Sequence, residues 1–267
     1  MGDELLIVNA DDWGASVAVT DAIARAHAAG AITSTTGMVF MADSVRAATL
    51  ARERGLPTGL HLNLTEALDG PGVGAEHAAR HARLRAHFAD LPRRRWRYTR
   101  AVRRDVAAEI AVQLAEHRRL YGAPPGHVDS HHHVHVCPDV LLSPALPRGT
   151  RVRQTRSAPP GAGAPRTPQA LASTAKATLM RRRFTTTSRF WAIADVHPAL
   201  GGAGLDAALA AARGRTVEVM VHPGFPDELP LLLADDWRAF VAAARAGDYG
   251  ALRPSSRRRA SAMRLPG

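Results

Sequence analysis

The chain has 267 residues, 46% of them hydrophobic, which is enough to bury a core as one large domain or two small ones. Its only cysteine, Cys137, excludes intrachain disulfides and every zinc site that needs several cysteine ligands. The formal net charge of +11 comes almost entirely from arginine, and we interpret it as a solvated basic face rather than a nucleic-acid surface.

The first third of the chain predicts strands that alternate with helices. Short apolar or β-branched runs are followed by stretches of helical spacing that end at glycine. The predicted elements are strands at 5–10, 32–40 and 58–67 and helices at 17–30 and 44–55. Residues 69–98 show no clear periodicity, and we expect an insertion or lid there.

The remainder of the chain continues this alternation. The predicted elements are helices at 100–122, 170–184 and 235–247 and strands at 126–136, 151–155 and 216–225. Proline and glycine predict a flexible loop at 158–169. The polar, basic tail at 254–267 is expected to be disordered, which leaves 1–253 as a single domain.

The alternation of strands and helices predicts an α/β fold with a parallel sheet, either a barrel or an open doubly wound sheet. Both architectures place their chemistry at the carboxyl ends of the strands. The polar clusters follow this rule: they are Asp11 and Asp12 after the first strand, His61 in the third, Asp129 to His135 in the fourth, Arg153 in the fifth and His222 near the last.

The N-terminal residues MGDELLIVNADD carry acids where a secretory signal would carry basic residues. No apolar run reaches the roughly 18 residues that a membrane span needs. We therefore expect a cytoplasmic protein without a membrane span, and the sequence leaves a homo-oligomer open.

The acidic pair in NADDWG needs a compensating partner. Two adjacent carboxylates at a strand end lose part of their hydration and repel each other, unless a cation or hydrogen bonds offset that cost. The alternative is that one aspartate caps the next helix while the other faces solvent.

The stretch HVDSHHHVHVCP is the densest group of metal-binding side chains. An extended strand would direct His127, Asp129, His131, His133 and His135 to one face, whereas a strand that ends near Asp129 would turn the later histidines into a loop. Either geometry leaves imidazoles close to a carboxylate. Together with the acidic pair and the third-strand histidine, this predicts one divalent ion, zinc first, with cobalt, nickel or magnesium as alternatives.

A divalent ion held by two histidines and one aspartate has open positions for water and a substrate oxygen, which favours hydrolysis. A second aspartate can then accept the proton of the water. His222, in VEVMVHPGFPD, is the histidine that can protonate a leaving amine, although His-Pro also begins ordinary turns.

The motifs NADDWG, TSTTGMV, GLHLNLT, HVDSHHHVHVCP, RVRQTR and EVMVHPGF, in this order, resemble the YdjC-like family of carbohydrate deacetylases, which includes chitooligosaccharide deacetylase. The resemblance covers roughly 4–227 and implies a distorted TIM-like barrel that removes an acetyl group from an N-acetylated amino sugar with the help of a metal. Carried over by position, it implies Asp12, His61 and His131 as metal ligands, Asp11 as the base, His222 as the acid and Arg153 as the residue that orients Asp11. Asn63, Asp129, His133 and His135 are then expected to orient the ligands or face the substrate.

Residues 69–98 are unusually rich in arginine for this family, which favours a larger or anionic substrate over a simple chitin fragment. Two alternatives remain. One is a metal-dependent phosphoesterase, in which the arginines of 93–104 bind phosphate beside two metal ions. The other is a non-catalytic, metal-binding homologue.

Overall fold

The computed structural model describes residues 4–94, 96–162 and 167–253, apart from the side chains of residues 169 and 170. Six parallel strands form one curled sheet in the order β4-β3-β2-β1-β6-β5. The strands are β1 (Leu5–Trp13), β2 (Ser34–Gly37), β3 (Thr58–Leu62), β4 (Val128–Ser130), β5 (Arg189–Ala192) and β6 (Thr216–Val221). Because all pairs are parallel, every strand ends at the same edge of the sheet.

Helices follow the strands, as the alternation predicted. The longer helices are α1 (Val17–Ala28), α2 (Ser44–Arg54), α3 (Ala75–Phe88), α5 (Arg103–Tyr121), α7 (Pro168–Arg183), α9 (Leu205–Ala212) and α11 (Asp235–Ala243). The short ones are α4 (Leu91–Arg94), α6 (Pro138–Leu141), α8 (Ile193–Val196) and α10 (Glu228–Leu233). Short 3-10 turns lie at 100–102, 131–136, 198–200 and 249–251.

The ends of the helices follow from local chemistry. The Ser16 hydroxyl accepts a hydrogen bond from the Val19 N–H at 3.4 Å and so begins α1. Gly55 ends α2 and Gly122 ends α5, with φ of 61° and 74°. This left-handed conformation favours glycine, and it turns the chain back toward β3 and β4.

The two faces of the sheet differ in polarity. Along β1, Leu6, Val8 and Ala10 belong to an apolar core that also includes residues of α1, α11 and β6. Asn9 and Asp11 alternate with them and are buried on the opposite, inner face. The interior of the curled sheet therefore contains buried polar groups, and these need partners within the protein.

Segment 151–157 bridges the two edge strands of the sheet. Val128 of β4 donates its N–H to Arg151 O at 2.9 Å, and Ser157 donates its N–H to Phe190 O of β5 at 2.9 Å. An irregular segment thus completes the ring that six strands begin. The fold is a distorted TIM-like barrel, as predicted.

The strands predicted at 32–40, 58–67 and 216–225 are shorter in the structure, at 34–37, 58–62 and 216–221, and two further predicted strands differ more. The fourth, expected at 126–136, contains only the three residues of β4 and continues as a 3-10 turn, in which His132 and His133 have φ of 54° and 56°. Of the two geometries considered for the histidine tract, the extended strand is therefore wrong, and the strand that ends near Asp129, with the later histidines in a loop, is confirmed. The predicted strand at 151–155 forms only isolated bridges.

Residues 69–98, for which no regular element was predicted, contain α3 and α4. Helix α3 buries His81, Leu84 and Phe88 and packs against α5. The spacing of these three residues is helical, but the alanines, arginines and histidines around them obscure the pattern. The short strand β5 and helix α9 were also missed.

The predicted tail at 254–267 and part of the predicted loop at 158–169 lie outside the described residues. Within the described ranges, none of the helices has both the length and the apolar composition needed to cross a membrane.

Candidate active site

Three side chains from separate elements meet at the carboxyl edge of the sheet. Asp12 lies near the end of β1, His61 lies in β3 and His131 follows β4. Asp12 Oδ1 is 3.2 Å from His61 Nε2 and 3.0 Å from His131 Nδ1. One ligand atom from each residue lies within 4.8 Å of the others, so these three residues, here called the candidate triad, could hold one divalent ion.

An irregularity in β1 makes this arrangement possible. The register between β1 and β2 shifts between Ala10 and Trp13, and Asp12 has φ of 72°. In a regular strand, adjacent side chains point to opposite faces. The bulge redirects Asp12, so that both it and its neighbour Asp11 contact the same site.

The histidine from β3 is held by a second carboxylate. His61 Nδ1 lies 2.7 Å from Asp129 Oδ1, and Thr36 Oγ1 donates to Asp129 Oδ2 at 3.0 Å. This contact leaves Nε2 directed at Asp12, which is the usual support for a histidine that binds a metal. The side chain of His61 is 2% exposed, whereas those of Asp12 and His131 are 15% and 21% exposed. Two imidazoles and one accessible carboxylate are donors that fit a divalent ion open to a substrate.

Asp11 is buried and held in the ionised form. Arg153 Nη1 and Nη2 donate to its two oxygens, each at 2.6 Å, and Asn9 Nδ2 donates to Oδ1 at 3.0 Å. Burial alone would raise the pKa of Asp11, but the charge and hydrogen bonds of Arg153 hold it well below its ordinary value. The group is therefore a carboxylate near neutral pH.

Arg153 is fully buried and joins three carboxylates. Besides Asp11, its Nη2 lies 2.8 Å from Asp129 Oδ2 and its Nε donates to Glu218 Oε1 at 2.8 Å. The Tyr249 hydroxyl donates to the other oxygen of Glu218. We call these five residues the Arg153 network. Each nitrogen of the guanidinium has at least one acceptor, so its orientation is determined by several contacts.

His222 follows β6 and lies near Asp11. Its Nε2 lies 3.9 Å from Asp11 Oδ2, and its Nδ1 lies 3.7 Å from Glu228 Oε1. The ring stacks on Phe225 with 4.7 Å between centroids. Burial alone would lower the pKa of His222, but the nearby carboxylate of Glu228 and the charges of Asp11 and Asp12 raise it above its ordinary value. This environment favours an imidazolium.

The remaining predicted residues do not join the candidate triad. Asn63 is buried, and its Oδ1 accepts the N–H groups of Thr65 at 3.1 Å and Glu66 at 2.8 Å, so it shapes the loop after β3. His135 is buried as well. Within the described part of the chain, neither His133 nor His135 belongs to a group whose ligand atoms converge.

Sequence reasoning missed Glu218, Tyr249 and Asn9. Glu218 is the one acid in the apolar run TVEVMV, and Asn9 is the one amide in LLIVNA, so a lone polar residue within an apolar strand was the available signal. Tyr249 carried no such signal, because its role depends on a contact between distant segments.

Comparison with known proteins gives consistent matches. A family model described as YdjC-like protein matches residues 5–262. A chitooligosaccharide deacetylase from Serratia marcescens is 37% identical over 142 residues, which cover 52% of this chain and 53% of that protein. The match thus spans about half the length of that relative. A carbohydrate deacetylase from Mus musculus is 34% identical over 253 residues, which cover 84% of this chain and 79% of that protein.

One solved structure has a similar fold. A proposed cellobiose-phosphate cleavage protein from Enterococcus faecalis V583 superposes with a TM-score of 0.63 over 93% of this chain and 98% of that chain. The two sequences are 20% identical over this match, so the similarity concerns the fold.

Proposed function

The chain belongs to the YdjC-like protein family, and from that membership we propose that it is a metal-dependent hydrolase that removes the acetyl group from an N-acetylated amino sugar or a metabolite that contains one. Its relatives are named carbohydrate deacetylases, which supports this reaction class. The observation that carries the proposal is the candidate triad beside an ionised Asp11 and a histidine with a raised pKa. The domain that carries this activity is proposed to be 1–253.

The proposed metal ligands are Asp12, His61 and His131. A divalent ion supplies Lewis acidity at such a site, because it lowers the pKa of water and polarises a carbonyl oxygen. Nitrogen-rich donors favour zinc, with cobalt, nickel or magnesium as alternatives. The contact between His61 Nδ1 and Asp129 supports this assignment, since it orients the ligand nitrogen.

Asp11 is proposed as the base that accepts a proton from the attacking water. It follows Ala10 at the bulge and is held ionised by Arg153. Both of its oxygens already accept hydrogen bonds from Arg153, so protonation must weaken one of those bonds. The carboxylate is thus the form present before the water loses its proton, and this is the form that a base requires.

His222 is proposed as the acid that protonates the departing amine. Glu228 and the two aspartates favour its charged form, so it can donate a proton near neutral pH. Its Nε2 lies 3.9 Å from Asp11 Oδ2, so once His222 has given its proton to the amine, the proton that Asp11 collected can restore the imidazolium. Together the two residues supply a base and an acid close to the candidate triad.

Metal analysis of the purified protein and acetate release from a panel of N-acetylated sugars test the proposal together. We expect one ion per chain and acetate release that stops after chelation. Asp11→Asn should retain the ion and lose most of the activity, because the base is removed and the ligands remain. Two ions per chain with phosphate ester cleavage would favour a phosphoesterase, and a bound ion without turnover would favour a non-catalytic homologue.

A further inference from the structure

A cavity with a volume of about 750 Å³ lies on the outer side of the barrel. It is bounded by helix α7, by the carboxyl end of α9 and by the irregular segment 154–162, and strand β5 lies beneath it. We call it the outer cavity. Its volume falls in the range of roughly 300–1,000 Å³ that is usual for sites that bind small ligands, so a molecule the size of a nucleotide fits.

The sheet separates the outer cavity from the candidate active site. Phe190 of β5 faces the interior of the barrel, where its ring centre lies 5.0 Å from the guanidinium carbon of Arg153. Arg189 and Trp191 alternate with Phe190, so they point outward, and both line the outer cavity. Of the described residues that line it, none belongs to the candidate triad. A ligand in the outer cavity would therefore occupy a different site from the substrate.

The outer cavity is lined by cations from four separate segments, namely Arg156, Arg181, Arg189 and Arg215. Of the described residues in its walls, none is an aspartate or a glutamate. Arg156 pairs with Asp195 at 2.6 Å. Across the ranges that the structure describes, no carboxylate forms an ion pair with Arg189 or Arg215. The outer cavity therefore has positive charge that no acid balances, and such charge attracts anions.

The sheet brings Arg189 and Arg215 close together. Arg189 of β5 is the register partner of Val217 in β6, and Arg215 precedes Val217 by two residues. Val217 belongs to the apolar core on the outer face, so the alternation of side chains puts Arg215 on that face as well. Arg189 Nη1 donates to Ser188 O at 3.2 Å, and Arg215 Nη1 donates to Ala211 O at 2.7 Å. Each guanidinium has five N–H donors, so most of them remain for a ligand.

The rest of the lining suits the other parts of a phosphorylated molecule. Ser157 and Ser173 contribute hydroxyl groups, which donate to phosphate oxygens or to a sugar. Ala158, Ala177 and Ala211 contribute only methyl groups, which leave space and present apolar surface. Small-molecule sites combine apolar walls with a few charged groups in this way.

We propose that the outer cavity binds a small molecule of nucleotide size through its phosphate or diphosphate group, and that Arg189 and Arg215 contact that group. Guanidinium nitrogens bind phosphate oxygens through charge-assisted hydrogen bonds. A phosphate group offers three acceptor oxygens and a carboxylate only two, so phosphate matches two neighbouring arginines better. The site is separate from the candidate triad, and the inference does not depend on the proposed deacetylase reaction.

Calorimetric titration of the full chain with ADP, pyrophosphate and adenosine tests the proposal. ADP and pyrophosphate should bind, and adenosine, which has no phosphate, should bind at least tenfold more weakly than ADP. Arg189→Gln and Arg215→Gln should each weaken ADP binding about tenfold, because each removes one charge-assisted contact. Arg189→Lys should keep much of the affinity, since the charge remains. Absence of binding by both ADP and pyrophosphate, or adenosine binding as tight as that of ADP, would overturn the inference.

Two further variants separate the outer cavity from a general effect of surface charge. Arg213→Gln is the matched control, because Arg213 is exposed two residues before Arg215 and does not line the outer cavity. It should keep the wild-type affinity for ADP. Ser173→Trp places an indole in the outer cavity without a change of charge and should weaken ADP binding at least tenfold. Equal weakening in Arg213→Gln and Arg215→Gln would overturn the inference.

One variant of the candidate triad shows where ADP binds. His131→Ala removes a proposed metal ligand and should keep the wild-type affinity for ADP, because the outer cavity lies on the other face of the sheet. Loss of ADP binding in His131→Ala, with wild-type affinity in Arg189→Gln and Arg215→Gln, would assign ADP to the candidate active site and overturn the inference. The proposed deacetylase reaction is measured separately, as acetate release, so either proposal can fail without the other.

Discussion

Two regions of the molecule each place a carboxylate between two histidines, and only one has the geometry for a metal. Between α3 and α5, Glu109 Oε1 lies 3.0 Å from His77 Nε2 and 3.1 Å from His81 Nδ1. Arg80 and Gln113 donate to the same carboxylate at 3.2 Å and 2.9 Å. We call these five residues the Glu109 cluster. At the candidate triad, Asp12 meets two histidines at similar distances.

The difference lies in what else each group contacts. In the Glu109 cluster, the carboxylate has four donors around it, and the second nitrogen of His81 lies 2.7 Å from the carbonyl oxygen of Glu66. In the candidate triad, the second nitrogen of His61 contacts a carboxylate, and Asp12 remains partly exposed. Of the described residues, those of the Glu109 cluster form no group of converging ligand atoms. Residue types alone therefore do not define a metal site; ligand atoms that converge and a carboxylate open to solvent do.

The largest expected effect comes from removing one histidine from each region. His131→Ala should lose the metal and acetate release almost completely, since it deletes a ligand, and the loss should exceed the roughly 10–100-fold typical of outer contacts. His77→Ala should keep a full ion per chain. Metal content after dialysis, measured with activity, checks both. His133→Ala is a second control within the histidine tract, and loss of metal in that variant would reassign the ligand.

A smaller effect is expected from Asp129→Asn, which weakens the support of His61 without removing a ligand. The affinity for the metal should fall about 10–100-fold, because the amide no longer attracts the His61 N–H as a carboxylate does. Competition with a chelator measures it. Asp139→Asn is a matched control, since Asp139 also contacts a histidine, His87, at 3.0 Å outside the candidate triad. Equal metal affinity in wild type and Asp129→Asn would contradict the proposal that Asp129 supports His61 as a metal ligand.

The alternation of strands and helices was sufficient to predict a parallel sheet, because each apolar run and each glycine stop is a local signal. It left a barrel and an open doubly wound sheet as alternatives, and the resemblance to the family favoured the barrel. The alternation also predicted that Asp12, His61 and Arg153 lie at one edge of the sheet, since parallel strands share their carboxyl ends. The histidine tract failed as a strand because His132 and His133 adopt left-handed conformations. His131 contacts Asp12, which lies 119 positions away, and the histidine tract itself contains no signal for this contact.

The contacts of the Arg153 network could not be predicted from the sequence either. Glu218 is 65 residues from Arg153 and 31 from Tyr249, so no local pattern joins them. A buried acid within an apolar strand indicates only that a partner exists. Which partner it has, and that this partner also holds Asp11, follow from the closure of the barrel by segment 151–157.

Glu218→Gln should therefore affect the reaction through Arg153. The amide keeps the shape of the side chain but weakens the contact with Nε, so Asp11 is held less firmly, and we expect kcat to fall about tenfold with little change in KM. Tyr249→Phe removes only the outer hydrogen bond and should have a smaller effect. Steady-state kinetics with metal content held at one ion per chain would show this order. A rise in KM with kcat unchanged would contradict a positioning role.

Substitution of Glu109 should have the smallest effect on activity. Its main effect should be on the stability of the folded protein. Glu109→Gln leaves the donors of Arg80 and the two histidines without their anionic acceptor, and we expect the free energy of unfolding to fall by about 2 kcal/mol. Metal content should stay at the wild-type value, because the cluster contacts none of the candidate triad's ligand atoms. Denaturant unfolding and metal analysis of the same preparation check both outcomes. Loss of metal in Glu109→Gln would contradict the distinction between the Glu109 cluster and the candidate triad.

The pH dependence of the difference in stability between wild type and Glu109→Gln should show whether charge or packing causes it. Burial alone would raise the pKa of Glu109, but hydrogen bonds from His81, Gln113 and His77 lower it to about 2, from an ordinary 4.5. A carboxylate with a lowered pKa in the folded state adds stability above its unfolded pKa and loses it as pH falls through the folded value. The gap between wild type and Glu109→Gln should therefore be full near pH 6 and shrink between about pH 4.5 and pH 2. A gap that stays constant over this range would mean that packing, not charge, accounts for the cluster.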